Sequence, residues 1–155
     1  MEFADWVRLI TILASGIAAG VLVTVLTVLT PLIGQLGTAG LHMKNLMDPL
    51  IDRVNPPMMV LSIAGGVLTL IVADDLSDAA TVLTVIGIVG AVGVVVLSFG
   101  FNFRLNAVMA KMPTDDIPPE FPEVFARWIR YHVVRTLSGL LGFAGFAASM
   151  AVQLH

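Results

Sequence analysis

The sequence contains no cysteine. Disulfides, thiolate metal sites and a cysteine nucleophile are therefore excluded, and the redox compartment stays unread. Charge is scarce too: charged residues make up 12% of the 155 residues, against about 25% in a soluble domain. With a net charge of −3, no basic patch is dense enough to suggest nucleic acid. A phosphate-binding loop, a dinucleotide fingerprint and a Gly-x-Ser-x-Gly elbow are all missing. No acid lies midway along an apolar run, which argues against a proton-driven transporter. The first apolar run is too long for a signal-peptide core and lacks a basic leader, so it reads as a retained helix.

What is abundant is apolar surface. Hydrophobic residues reach 57%, which points to lipid as the solvent. A helix needs about 20 mainly apolar residues to cross the hydrocarbon core. Four runs qualify, at about 6–33, 56–73, 79–103 and 124–152. They predict an all-α integral membrane bundle of four transmembrane helices, a single domain over residues 1–155. Pro31, Gly34, Gly37 and Gly40 mark the end of the first run, and Asp74 and Asp75 the end of the second. The last run must include Tyr131, His132 and Arg135, because its wholly apolar part is too short alone.

Basic residues set the orientation. Lys44 and Arg53 fall between runs one and two. Arg104, Lys111, Arg127 and Arg130 fall between runs three and four, and only Arg8 lies on the other side. By the positive-inside rule both termini are outside and the two basic loops are cytoplasmic, with the plasma (inner) membrane as the expected location. Glycines at 16 and 20, at 65 and 66, and at 87, 90 and 93 mark helix contacts, together with Ser138, Gly142, Gly145 and Ser149. Contacts within one chain and contacts between chains, in a homo-oligomer or with another membrane subunit, both fit this pattern. In the first loop, Met43, Met47, Leu50 and Val54 recur at helical spacing with Lys44, Asp48 and Asp52 on another face. That predicts a short amphipathic helix lying on the membrane, against which Pro49 counts.

Polar side chains gather at the predicted cytoplasmic side. Trp128, His132 and Arg135 fall at i, i+4 and i+7, on one helix face. A cation at that depth must pair, face the bundle interior or reach water. One reading is a pocket in which His132 acts as acid or base and Arg135 holds an anion. The other is anchoring, with Trp128 in the interfacial belt and Arg135 snorkelling to headgroups. Asn102 and Asn106, four apart, share a face at the end of the third run and need partners there. They could cap the helix, bond to the last span or bind a ligand carbonyl. His42 and His132 could together bind copper, zinc or haem iron, though no third ligand of quality is present. Asp48 and Asp52 read as solvated acids.

The run at 99–106, leaving span three with Asn102 and Asn106, and the run at 127–135, with Trp128, His132 and Arg135 spaced W-x-x-x-H-x-x-R, resemble the anthrone-oxygenase-like family of small four-span membrane proteins. The likeness covers about residues 80–150 in specific residues, and only hydropathy over 1–75. The resemblance implies a cofactor-free oxygenase or redox enzyme acting on a lipophilic aromatic or quinone-like molecule. It assigns Asn106 to polarise a carbonyl, His132 to help remove a ring proton, Arg135 to stabilise the enolate and Trp128 to stack on the flat ring. Such an enolate reacts with oxygen without a metal, so the protein need supply only a base, an anion partner and a dry pocket. A non-enzymatic membrane subunit and a haem or copper protein remain the rival readings.

Overall fold

The computed structural model describes residues 2–73 and 76–153. Asp74, Asp75 and His155 lie outside the described residues. Four helices are long and apolar enough to cross a membrane: α1 (Phe3–Leu36), α2 (Thr38–Val72), α3 (Asp78–Met109) and α4 (Phe121–Gln153). No strand occurs among the described residues. The chain is a multi-pass all-α membrane protein. Each helix packs on its neighbours in sequence, and α4 closes back on α1. Large apolar side chains such as Ile10, Ile17, Val89 and Leu137 are exposed all round, as lipid-facing surfaces require.

The helix-contact glycines are used chiefly within the chain. A methyl group at Gly90 would meet the Gly142 backbone, and one at Gly145 would meet the Gly87 backbone. These residues let α3 and α4 approach at backbone distance. Gly16 and Gly20 do not form a comparable pair. Gly16 meets the ring of Phe143, and nothing lies within 4 Å of a methyl group at Gly20.

The second span departs most from expectation. It begins at Thr38 rather than near residue 56 and runs unbroken through Pro49, Pro56 and Pro57. The predicted surface helix is its first half. Gly37, with φ 57° and ψ −122°, is the only residue between α1 and α2. That conformation is open to glycine and strained for other residues. The orientation of this half is also the reverse of a surface helix. Leu50 and Val54 are exposed and Met43 and Met47 half-buried, whereas Lys44 on the polar face is buried. In lipid the apolar side faces out and the polar side faces the bundle.

Two π turns interrupt the ladders, at Val25–Leu29 in α1 and Ser98–Asn102 in α3. A π turn inserts one residue and so rotates the rest of the helix around its axis. In α3 this keeps Ser98 and Asn102 buried against α4. The third span then continues to Met109, beyond the predicted end at 103.

Candidate functional site

His132 and Arg135 of α4 face inward, whereas Glu123, Arg127 and Arg130 are exposed. His132 is fully buried and Arg135 is 6% exposed. Both side chains are enclosed by the bundle, not turned outward as the snorkelling arrangement would require of Arg135. Phe121, Phe125, Trp128 and His132 stack as a ladder of nearly parallel rings. Trp128 lies 5.8 Å from Phe125 and 4.9 Å from His132 between centroids. The ammonium of Lys44 stands 5.2 Å from its ring centre. Trp128 is 2% exposed, so in this arrangement it has no free face on which a flat ligand could stack.

Trp128 Nε1–H donates to Asn106 Oδ1 at 2.6 Å, and Lys44 Nζ donates to the same oxygen at 3.1 Å. Both lone pairs of that oxygen are thereby used, which fixes the amide orientation. Asn106 can offer a ligand only its N–H. Asn102 is buried completely and donates to the Trp128 carbonyl at 3.4 Å, while its own Oδ1 has no partner among the described residues. The two asparagines thus reach the same tryptophan, in keeping with their shared face. Lys44 is 2% exposed and paired with Asp48. It joins this network from α2, although its place in the sequence suggests only a loop base.

The histidine state is set by its neighbours. Its Nε2 lies 3.2 Å from the Leu22 carbonyl oxygen, which can only accept. Its Nδ1 lies 2.7 Å from Arg135 Nη2, which can only donate. His132 is therefore neutral, with its proton on Nε2 and its one lone pair on Nδ1 taken by arginine. Arg135 Nη1 donates to Ser98 Oγ at 3.3 Å, and its Nε has no partner among the described residues. Each π turn thus abuts this pair, through Leu22 just before the first and Ser98 within the second. Among the described residues Arg135 forms no ion pair.

Arg135 also lines a cleft between α2, α3 and α4. Asp52, Asn55 and Met59 come from α2, and Val94, Ser98, Phe99 and Phe103 from α3. The cavity volume is about 20 Å³, room for little more than one water. Asn55 is 5% exposed, and its Oδ1 is buried with no hydrogen bond among the described residues. Asp52 is exposed at the mouth. Trp128, Asn106 and His132 do not line this cleft. His42 is exposed, whereas His132 is buried. Among the described residues no group of three or more metal-ligating side chains is placed to hold a metal ion.

The family model described as anthrone oxygenase matches residues 43–145. That stretch holds every side chain of the polar network and of the cleft; Leu22, outside it, contributes only its backbone carbonyl. No curated protein and no solved structure matches the chain.

Proposed function

Because the chain belongs to the anthrone oxygenase family, we propose that it is a membrane oxygenase that oxidises a lipophilic aromatic or quinone-like molecule without a metal or organic cofactor. The observation that carries this reading is Arg135. A buried guanidinium that forms no ion pair is costly to maintain. It becomes useful if an anion forms beside it. Its unpaired Nε belongs to a side chain lining a cleft that is otherwise largely apolar, which suits an oxyanion on a flat ring. His132 holds the guanidinium through Nδ1, and the Trp128–Asn106–Lys44 network holds His132 in turn. These residues position the arginine.

The closed cleft is too small for three fused rings. Phe99 and Phe103 meet edge to face, with centroids 5.0 Å apart, and both line it. Phe99 is largely exposed to the lipid side. Rotation of these two rings opens the cleft laterally, so that a substrate dissolved in the bilayer inserts without crossing water.

The test is oxygen consumption by purified protein in lipid with anthrone as probe. The wild type consumes one oxygen per anthrone and forms anthraquinone. Arg135→Gln lowers the rate by about 100-fold or more, the usual effect of removing an oxyanion donor. Equal rates in the two proteins overturn the reading. Metal analysis of the active preparation decides the haem or copper alternative: activity that tracks a bound metal would replace this proposal.

A further inference from the structure

Resting on that reading, we propose that the carboxylate of Asp52, rather than the imidazole of His132, is the base that takes the ring proton. A general base needs an unused lone pair within reach of the proton it removes. His132 has none. Its Nε2 carries a proton donated to the Leu22 carbonyl, and its Nδ1 accepts from Arg135. One ring face is covered by Trp128, and the side chain does not line the cleft. Freeing Nδ1 would require breaking the bond that holds the guanidinium. The two tasks, proton removal by His132 and oxyanion binding by a fixed Arg135, therefore compete.

Asp52 meets the requirement. It lines the same cleft as Arg135 and, among the described residues, has no hydrogen bond or ion pair of its own. The two groups share the cleft without forming an ion pair, so a substrate that opens the cleft would meet both carboxylate and guanidinium. Asn55 lies one helical turn further along, with an unpartnered and nearly buried amide oxygen on the same wall. It supplies a second polar contact beside Arg135. Met59, Val94, Phe99 and Phe103 give the rest of the lining an apolar character suited to a ring. A ligand filling the cleft would expel solvent from the carboxylate and strengthen its interactions.

The steps balance. Asp52 takes one proton from the ring methylene, and the C–H electron pair becomes the enolate, with its charge on the oxygen beside Arg135. Dioxygen is the oxidant. It accepts electrons from the enolate carbon, a C–O bond forms, and the proton held by Asp52 passes to the outer peroxide oxygen. Asp52 then removes the remaining proton from that carbon. The carbonyl forms as the O–O bond breaks, and the departing hydroxide takes the proton to leave as water. Substrate and dioxygen give ketone and water, and Asp52 returns to carboxylate.

Proton removal can be read apart from oxidation. Purified protein in lipid nanodiscs is mixed anaerobically with anthrone in deuterated water, and loss of the methylene proton signal is followed. The wild type accelerates exchange. Asp52→Asn slows it by about 100-fold or more while anthrone binding stays within about threefold, and Asp52→Glu recovers part of the rate. His132→Asn loosens the arginine, the Leu22 contact and the Trp128 stack but leaves the carboxylate in place, so it slows exchange by less than Asp52→Asn does. Asp52 is exposed and unpaired, so its amide variant should fold, and an unchanged melting temperature verifies this. Wild-type exchange in Asp52→Asn overturns the assignment, as does loss confined to His132→Asn. Exchange without oxygen uptake in air would sink the oxygenase reading alone, and no exchange in the wild type would sink both.

Discussion

Lys44 shows what a single charge can organise when it is taken out of water. Its ammonium pairs with Asp48, donates to Asn106 and faces Trp128. Removing one partner of a buried pair leaves the other charge uncompensated. Lys44→Met should therefore lower stability by about 3 kcal/mol, and Lys44→Met with Asp48→Leu should recover much of it. Thermal melting of the four members of the cycle in one detergent measures the coupling, and additive losses would refute it. The alignment of Trp128, His132 and Arg135 was legible because i, i+4 and i+7 is a local rule. Lys44 was not, because its partner Asn106 lies 62 residues away. Asp52 and Asn55 escaped for a related reason. Acids on an amphipathic stretch look solvated until the neighbouring helices are known, and here the polar side is the inner one.

At the level of elements, α2 overturns a rule learned from water. Three prolines inside a helix predict a break, because each removes a backbone donor. In a bilayer the alternative to a helix is worse, since unpaired backbone has nowhere else to bond. Hydropathy over residues 56–73 therefore points to only the second half of a helix that runs Thr38–Val72. The hairpin before it rests on Gly37, whose φ of 57° suits no other residue well. Gly37→Ala should cost about 1–3 kcal/mol. Gly145→Ala should also destabilise, by about 1–3 kcal/mol through overpacking against the α3 backbone, while Gly20→Ala should be neutral. Melting temperatures of the three variants check this, and a loss at Gly20 equal to that at Gly145 would contradict the packing.

For the whole molecule, helix length and loop charge set the placement in the bilayer. Helices of 32–35 residues are about 50 Å long, against about 30 Å of hydrocarbon. The end that carries Gly37 and the α3–α4 loop is the one rich in basic residues, with Lys44, Arg53, Arg104, Lys111, Arg127 and Arg130. By loop charge this end should be cytoplasmic. The absence of cysteine makes the test clean. With a membrane-impermeant thiol reagent applied to intact cells, Ser77→Cys should be labelled and Thr114→Cys should not. The opposite pattern would invert the orientation.

The ring ladder also makes the protein its own optical instrument. It has two tryptophans. Trp6 is 52% exposed near one end of α1, whereas Trp128 is enclosed by Phe125, His132 and Lys44. In a Trp6→Phe variant all indole emission comes from the ring stacked on His132, which in turn holds the arginine that the proposed substrate would approach. Brominated acyl chains would dim Trp6 in the parent protein and leave the variant bright, so any dimming of the variant on adding an aromatic compound reports an event inside the bundle.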